Sequence, residues 1–196
     1  MNNKNIQLYI ELDGITPKIW RRFVVPSIIT LDRLHDVIQI VMGWTDSHMH
    51  EFMIKGNRYT DLLESEETEK CQEEGLFRLE SLIDKHGADF TYTYDFGDEW
   101  VHKLKIEKTN LADDEEWGNL FCIEGWGSCP PEDVGGIPGF EEFCEAISDK
   151  KHPEHETLTA WYGEDFLRDF FSNDEANLGL LFFLRWSKDR ILPWQE

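Results

Sequence analysis

Apolar and polar side chains alternate from Ile6 through Leu8 and Ile10 to Leu12. They alternate again over Ile19 to Val25, with Asp13-Gly14 and Pro17 between the two runs. A period of two places the apolar set of each run on one face of a strand, and the turn residues fold the second run back on the first. The chain therefore opens with an antiparallel hairpin. In its second strand Ile19, Arg21 and Phe23 share one face, and Trp20, Arg22 and Val24 share the other.

The same period recurs in Phe90-Thr-Tyr-Thr-Tyr-Asp-Phe96 and, across Gly97-Asp98, in Trp100, His102, Leu104 and Ile106. A further strand runs to Lys55 and turns at Gly56-Asn57 into Arg58 and Tyr59; Leu120 to Ile123 is another. Leu31, Leu34, Ile38 and Val41 instead fall at helical spacing, with Thr30 placed as N-cap and Gly43 as the left-handed stop. Shorter helices are expected within Leu76–Ile83, Phe140–Ile147, Thr157–Tyr162 and Phe166–Phe171. Hairpins with separated helices predict an α+β fold, a mainly antiparallel sheet built from hairpins with helices packed on it. Residues 1–172 are read as a single α+β domain. Its acidic insertion, 61–74, carries seven acidic residues and one lysine and is expected to be solvated. Residues 173–196 form a C-terminal extension, expected to dock through Ile191-Leu192-Pro193-Trp194.

Charge narrows the partners. Forty Asp and Glu against nineteen Lys and Arg give a formal charge of −21 over 196 residues. Such a field repels phosphate backbones and anionic bilayers, so neither direct duplex DNA nor a membrane is an expected partner. The stretch 1–5 has neither a basic nor an apolar signal region, and no apolar run approaches the length of a membrane span, which predicts a cytoplasmic protein. Cys71, Cys122, Cys129 and Cys144 show no C-x-x-C spacing and are expected as reduced thiols.

Several motifs carry chemistry. If His48-Met49-His50-Glu51 begins a strand, His48 and His50 face the same way. With His102 they would then offer three imidazoles to one divalent metal, Glu51 or Asp46 serving as base or ligand. The plainer alternative is hydrogen-bonded histidines lining a groove. Lys18, Arg21 and Arg22 form the dense basic cluster of the first half and are expected to pair with Asp95, Asp98 or Glu99. Asp95-Phe96-Gly97 spells the kinase magnesium motif without a phosphate-binding glycine loop or H-R-D, and is set aside. Gly135-Gly136-Ile-Pro-Gly139 lacks the nucleotide-binding patterns and reads as a tight turn after Pro130-Pro131.

Taken together, the segments resemble one family. Ile15-Thr-Pro-Lys-Ile-Trp-Arg-Arg22, Leu31-x-x-Leu34-His35 and Met42-Gly43-Trp44-x-Asp46-Ser47-His48-x-His50-Glu51-Phe52 are followed by Tyr94-Asp95-Phe96-Gly97-Asp98-Glu99-Trp100-x-His102. Cys129-Pro130-Pro131-Glu132-Asp133-x-Gly135-Gly136 and His152-Pro153-Glu154-His155-Glu156 complete the set. In this order they resemble the Ri-plasmid ORF-3-like proteins, a match from about Ile6 to Phe171. The resemblance implies a single α+β domain and an association of some members with mobile elements, but no reaction, cofactor or catalytic residue.

The expected function is a non-enzymatic binding or interaction domain for a protein or small ligand, without a cofactor. Its recognition face would combine Trp20, Arg22, Trp44, His48, His50, Trp100 and His102 with Pro130, Pro131, Glu132 and Asp133. On such a face His50 is exposed, and truncating it costs little stability. A metal-dependent hydrolase using His48, His50 and His102, with a divalent ion as cofactor, is the first alternative; an acidic nucleic-acid mimic is the second.

Overall fold

In the computed structural model, residues 4–63, 70–83, 89–116, 118–163 and 165–183 are described. The strands are β1 (Asn5–Leu12), β2 (Trp20–Pro26), β3 (His50–Ile54), β4 (Asn57–Thr60), β5 (Cys71–Glu73), β6 (Asp89–Tyr94), β7 (Trp100–Leu111) and β8 (Phe121–Trp126). The helices are α1 (Leu31–Met42), α2 (Leu79–Leu82), α3 (Gly136–Ser148), α4 (His155–Tyr162) and α5 (Asn173–Leu181), with a 3₁₀ turn at Glu74–Leu76. The strands form one sheet in the order β5-β4-β3-β6-β7-β1-β2-β8. Its pairings are antiparallel except for β4 with β5, making this an α+β fold with a mixed, mostly antiparallel sheet. Among the described residues no helix is long and apolar enough to cross a membrane.

Alternation gives the sheet two unlike faces. Leu8, Ile10, Phe23, Phe52, Tyr92 and Leu104 are buried with the α1 stripe of Leu31, Leu34, Val37, Ile38 and Val41 in one core. The outer face is polar. Arg22 pairs there with Glu107 and Glu124, Lys18 with Glu11, and Arg58 with Glu51. The basic cluster thus finds partners other than Asp95, Asp98 or Glu99, because strand parity turns Arg22 outward toward the neighbouring strands.

Arg21 turns inward and is 1% exposed. Its donors meet backbone carbonyls only. Nε reaches Val41 O at 2.7 Å and Nη2 reaches Met42 O at 3.3 Å, the free carbonyls at the end of α1; the others reach Trp20, Trp126 and Gly127. A cation here satisfies the unpaired C-terminal carbonyls of the helix and complements its dipole. Burial pulls the Arg21 pKa down to about 10, which leaves it charged at neutral pH. The guanidinium lies 3.9 Å from the centre of the Phe171 ring. Gly125 leaves room for this stack, since a Cβ there would lie 2.7 Å from both Arg21 Cδ and the Phe171 ring. Gly125→Ala is accordingly expected to lower stability by about 1–3 kcal/mol through overpacking, read as a shift of the urea midpoint; an unshifted midpoint would show that the stack yields freely.

Three local expectations change. The 61–74 segment is not wholly a solvated excursion. Cys71–Glu73 adds a parallel strand beside β4, and Glu74 is 1% exposed; residues 64–69 lie outside the described set. The glycine-rich stretch is the start of α3 rather than a separate turn, with Gly135 (φ 95°) as its left-handed N-cap. Phe166 to Phe171 form no helix. Ser128 ties this stretch down instead, its backbone N–H donating to Arg168 O at 2.8 Å while its hydroxyl donates to Leu167 O at 2.6 Å. In the C-terminal extension, α5 packs on α1 and β8. The Asn177 side chain accepts from Cys122 N at 2.7 Å and donates to Cys122 O at 3.0 Å. Ile191 to Trp194 lie outside the described residues.

Candidate functional site

Three loops meet at one end of the sheet: Trp44–Met49 after α1, Asp95–Glu99 between β6 and β7, and Ser128–Gly135 before α3. Glu132 joins the first and third, its Oε1 accepting from Thr45 N at 2.8 Å and Thr45 Oγ1 at 2.9 Å. The Tyr94 hydroxyl donates to the same oxygen at 3.1 Å and accepts from Ser47 N at 2.9 Å. Burial pushes the Tyr94 phenol well up, so it stays protonated as a donor. Asp98 Oδ2 accepts from Gly135 N at 2.9 Å, tying the second loop to the third. Gly136 is required at this junction, for a Cβ would lie 2.9 Å from Asp98 O and its φ is 68°.

These ties leave three carboxylate oxygens around one imidazole nitrogen. His48 Nε2 lies 3.3 Å from Asp133 Oδ1, 3.7 Å from Asp95 Oδ2 and 3.8 Å from Glu132 Oε2. Both His48 Nε2 and Glu132 Oε2 are buried atoms without a hydrogen-bond partner among the described residues. Asp95 is nine-tenths buried; its Oδ1 accepts from Gly97 N and Asp98 N, which leaves Oδ2 aimed at His48. Asp133 is the exposed member, at 75%. Tyr94 forms one wall, its ring edge-on to His48, and Trp44 lies behind it at 5.1 Å between ring centres.

The loops that build this corner fall inside a family signature, that of the plasmid pRiA4b ORF-3-like proteins, which matches residues 4–175. The chain belongs to the plasmid pRiA4b ORF-3-like family. It is 42% identical over 159 residues to the uncharacterized protein y4hQ of Sinorhizobium fredii, covering 81% of this chain and 80% of that one. It is also similar to the crystal structure of a protein of unknown function, MM3350, from Methanosarcina mazei Go1. There the TM-score is 0.80 at 34% identity, over 89% of this chain and 98% of the other.

The ORF-3-like chain divides the expected recognition face. Trp20 and Arg22 lie on the outer side of the sheet, Trp20 against Tyr9 and beneath the Arg22 guanidinium. Trp44, His50, Trp100 and His102 lie on the inner side, each 4% exposed or less, and Trp44, in the loop after α1, packs on both Trp100 and His102. Pro130 and Pro131 are buried as well. Only His48, Glu132 and Asp133 of the expected set come together at an open corner.

The three histidines do not converge either. The argument for His48 and His50 required both to lie in a strand, but β3 begins at His50 and His48 sits in the bend before it. His50 Nε2 is held by Glu74 Oε2 at 2.8 Å, with its ring stacked 3.5 Å from His35. His102 faces Tyr92 O through Nδ1 at 3.3 Å and receives the Trp44 indole N–H at Nε2 at 3.5 Å. Burial depresses its pKa to about 4, so it is neutral. Glu51 faces outward to Arg58, and Asp46 meets His35 Nε2 at 2.8 Å.

Sequence reasoning missed two things in this ORF-3-like protein. Asp95 is one, set aside with the accidental kinase motif; an Asp opening a Gly-containing turn was the available signal. The other is the buried polar chain of His35, Gln39 and Tyr92, in which the Tyr92 hydroxyl meets His35 Nδ1 at 2.8 Å and Gln39 Nε2 at 2.9 Å, and which the exposed Asp46 joins through His35 Nε2. His35 and Gln39 are four apart on α1, yet the apolar stripe around them gave no sign of a polar partner across the core.

Proposed function

We propose that this protein is a non-enzymatic binding domain whose recognition site is the His48, Asp95, Glu132 and Asp133 corner, and that it takes a cationic group of its partner. The observation that supports this reading is the unpaired buried pair, His48 Nε2 and Glu132 Oε2, beside two further carboxylates. A desolvated acceptor left without a donor costs about 1–3 kcal/mol, and an entering N–H group from a lysine or arginine relieves that cost. The overall charge of −21 favours approach of such a partner and opposes nucleic acid.

The test is an amide-shift titration of the isotope-labelled full chain with acetyl-arginine amide as guanidinium probe. Saturable shifts are expected at the amides of Asp95 to Glu99 and Gly135 to Gly136, weakened in Asp133→Asn. Duplex DNA at near-physiological salt is expected to shift none of them. Unsaturable or scattered shifts with the guanidinium probe, or DNA binding that saturates at these loops, would refute the reading.

A further inference from the structure

The corner has the composition of a metal site. We infer that His48 Nε2, Asp95 Oδ2, Glu132 Oε2 and Asp133 Oδ1 bind one divalent first-row cation of the manganese or zinc class. This deepens the proposed recognition site and rests on its being the binding corner.

His48, Asp95 and Asp133 offer ligand atoms that lie within 4.8 Å of one another, and Glu132 Oε2 is 3.8 Å from His48 Nε2. Metal bonds of about 2.0–2.2 Å set neighbouring ligands roughly 3.0–3.5 Å apart. The 3.3–3.8 Å separations about His48 Nε2 exceed ordinary hydrogen bonds and approach that spacing. His48, Asp95 and Asp133 form the tight group, and Glu132 Oε2 joins the shell by moving toward it.

The free atoms are also the ligating ones. Glu132 commits Oε1 to Thr45 and Tyr94, and Asp95 commits Oδ1 to the turn amides. In each the other oxygen is turned to His48. Such second-oxygen bonds are how proteins hold a ligating carboxylate in place. The Asp133 side chain closes the site from the solvent side, which gives an ion a path of entry.

Charge and donor type suit the same class of ion. Three carboxylates crowd one imidazole, and no lysine or arginine forms an ion pair with them among the described residues. One nitrogen with three oxygens is a borderline-hard set. The imidazole favours a first-row ion over calcium, and the carboxylates admit manganese as well as zinc. No thiolate contributes, since Cys129 is held protonated by burial.

The experiment uses the full chain freed of metal by chelator and then dialysed. Manganese chloride and zinc chloride are titrated separately by calorimetry, with thermal midpoints recorded. One equivalent of at least one ion is expected to bind and to raise the midpoint. Asp133→Asn and Glu132→Gln should each weaken that binding by about tenfold or more while leaving the metal-free midpoint near that of the parent. Asp133 is exposed and the Gln variant keeps the Oε1 acceptor, so both test the site without dismantling it. The bound ion should also displace acetyl-arginine amide. Failure of both ions to bind the folded parent, or binding that neither variant weakens, overturns the inference. If the guanidinium probe still binds in that case, the recognition site stands and only its metal falls; if neither binds, both fall.

Discussion

His50→Ala is expected to destabilise the protein by about 3–5 kcal/mol, the cost of leaving a buried charge unpaired. His50 and Glu74 are 2% and 1% exposed, and the 2.8 Å bond between them is the contact that the substitution removes. Burial raises the Glu74 pKa while His50 lowers it. Without the imidazole the carboxyl is pushed higher still. A carboxyl with a raised folded pKa stabilises most below its unfolded value and loses that contribution as pH rises through its folded value. The deficit of the variant should therefore be large at neutral pH, shrink as pH falls through the raised folded value and level off below about 4.3, the ordinary glutamate value. Urea midpoints of parent and variant at several pH values check this; a deficit under about 1 kcal/mol at neutral pH would mean that Glu74 finds another partner. Replacing both residues by apolar ones should restore much of the loss.

Acid should act on the parent through His102. Its folded pKa is about 4 against an ordinary 6.5, depressed by burial. The unfolded chain then takes up a proton that the folded chain refuses, so stability is lost as pH falls from about 6.5 to about 4, in total roughly 3 kcal/mol at 1.36 kcal/mol per unit. Below both values the loss levels off. His102→Gln, which keeps a polar group near Tyr92 O, is expected to begin less stable and to lose less over the same interval. If the two proteins fall in parallel, the acid sensitivity belongs to another group.

The two predictions rest on residues first read as solvent-facing, and the reason is instructive. Alternation located β1, β2, β6 and β7, and helical spacing placed α1 at Leu31–Met42. A period of two says which side chains share a face but not which face another element covers. Trp100 and His102 carry polar atoms, which made them look like surface groups; the Trp44 ring covers them all the same. Glu74 was hidden in another way. It ends a run of acidic residues whose composition spoke for solvent, and its partner His50 lies on a distant strand. The candidate corner was half legible. His48, Glu132 and Asp133 stood in notable motifs, whereas Asp95 joins them only because the β6–β7 turn brings it beneath the bend before β3.

The tie between Asn177 and Cys122 has a bearing on where this protein can be cut. β8 closes one end of the strand order, and a terminal strand offers unpaired amides and carbonyls to any passing chain. The Asn177 amide occupies both backbone groups of Cys122, and Asn173 holds the carbonyl of Ile123 at 2.6 Å. Helix α5 thus serves as a selvedge, finishing the sheet where weaving would otherwise continue. The family match ends at residue 175, two residues short of Asn177. A chain trimmed to that boundary keeps every residue of the corner and unpicks the selvedge, leaving β8 open to pairing with its own copies.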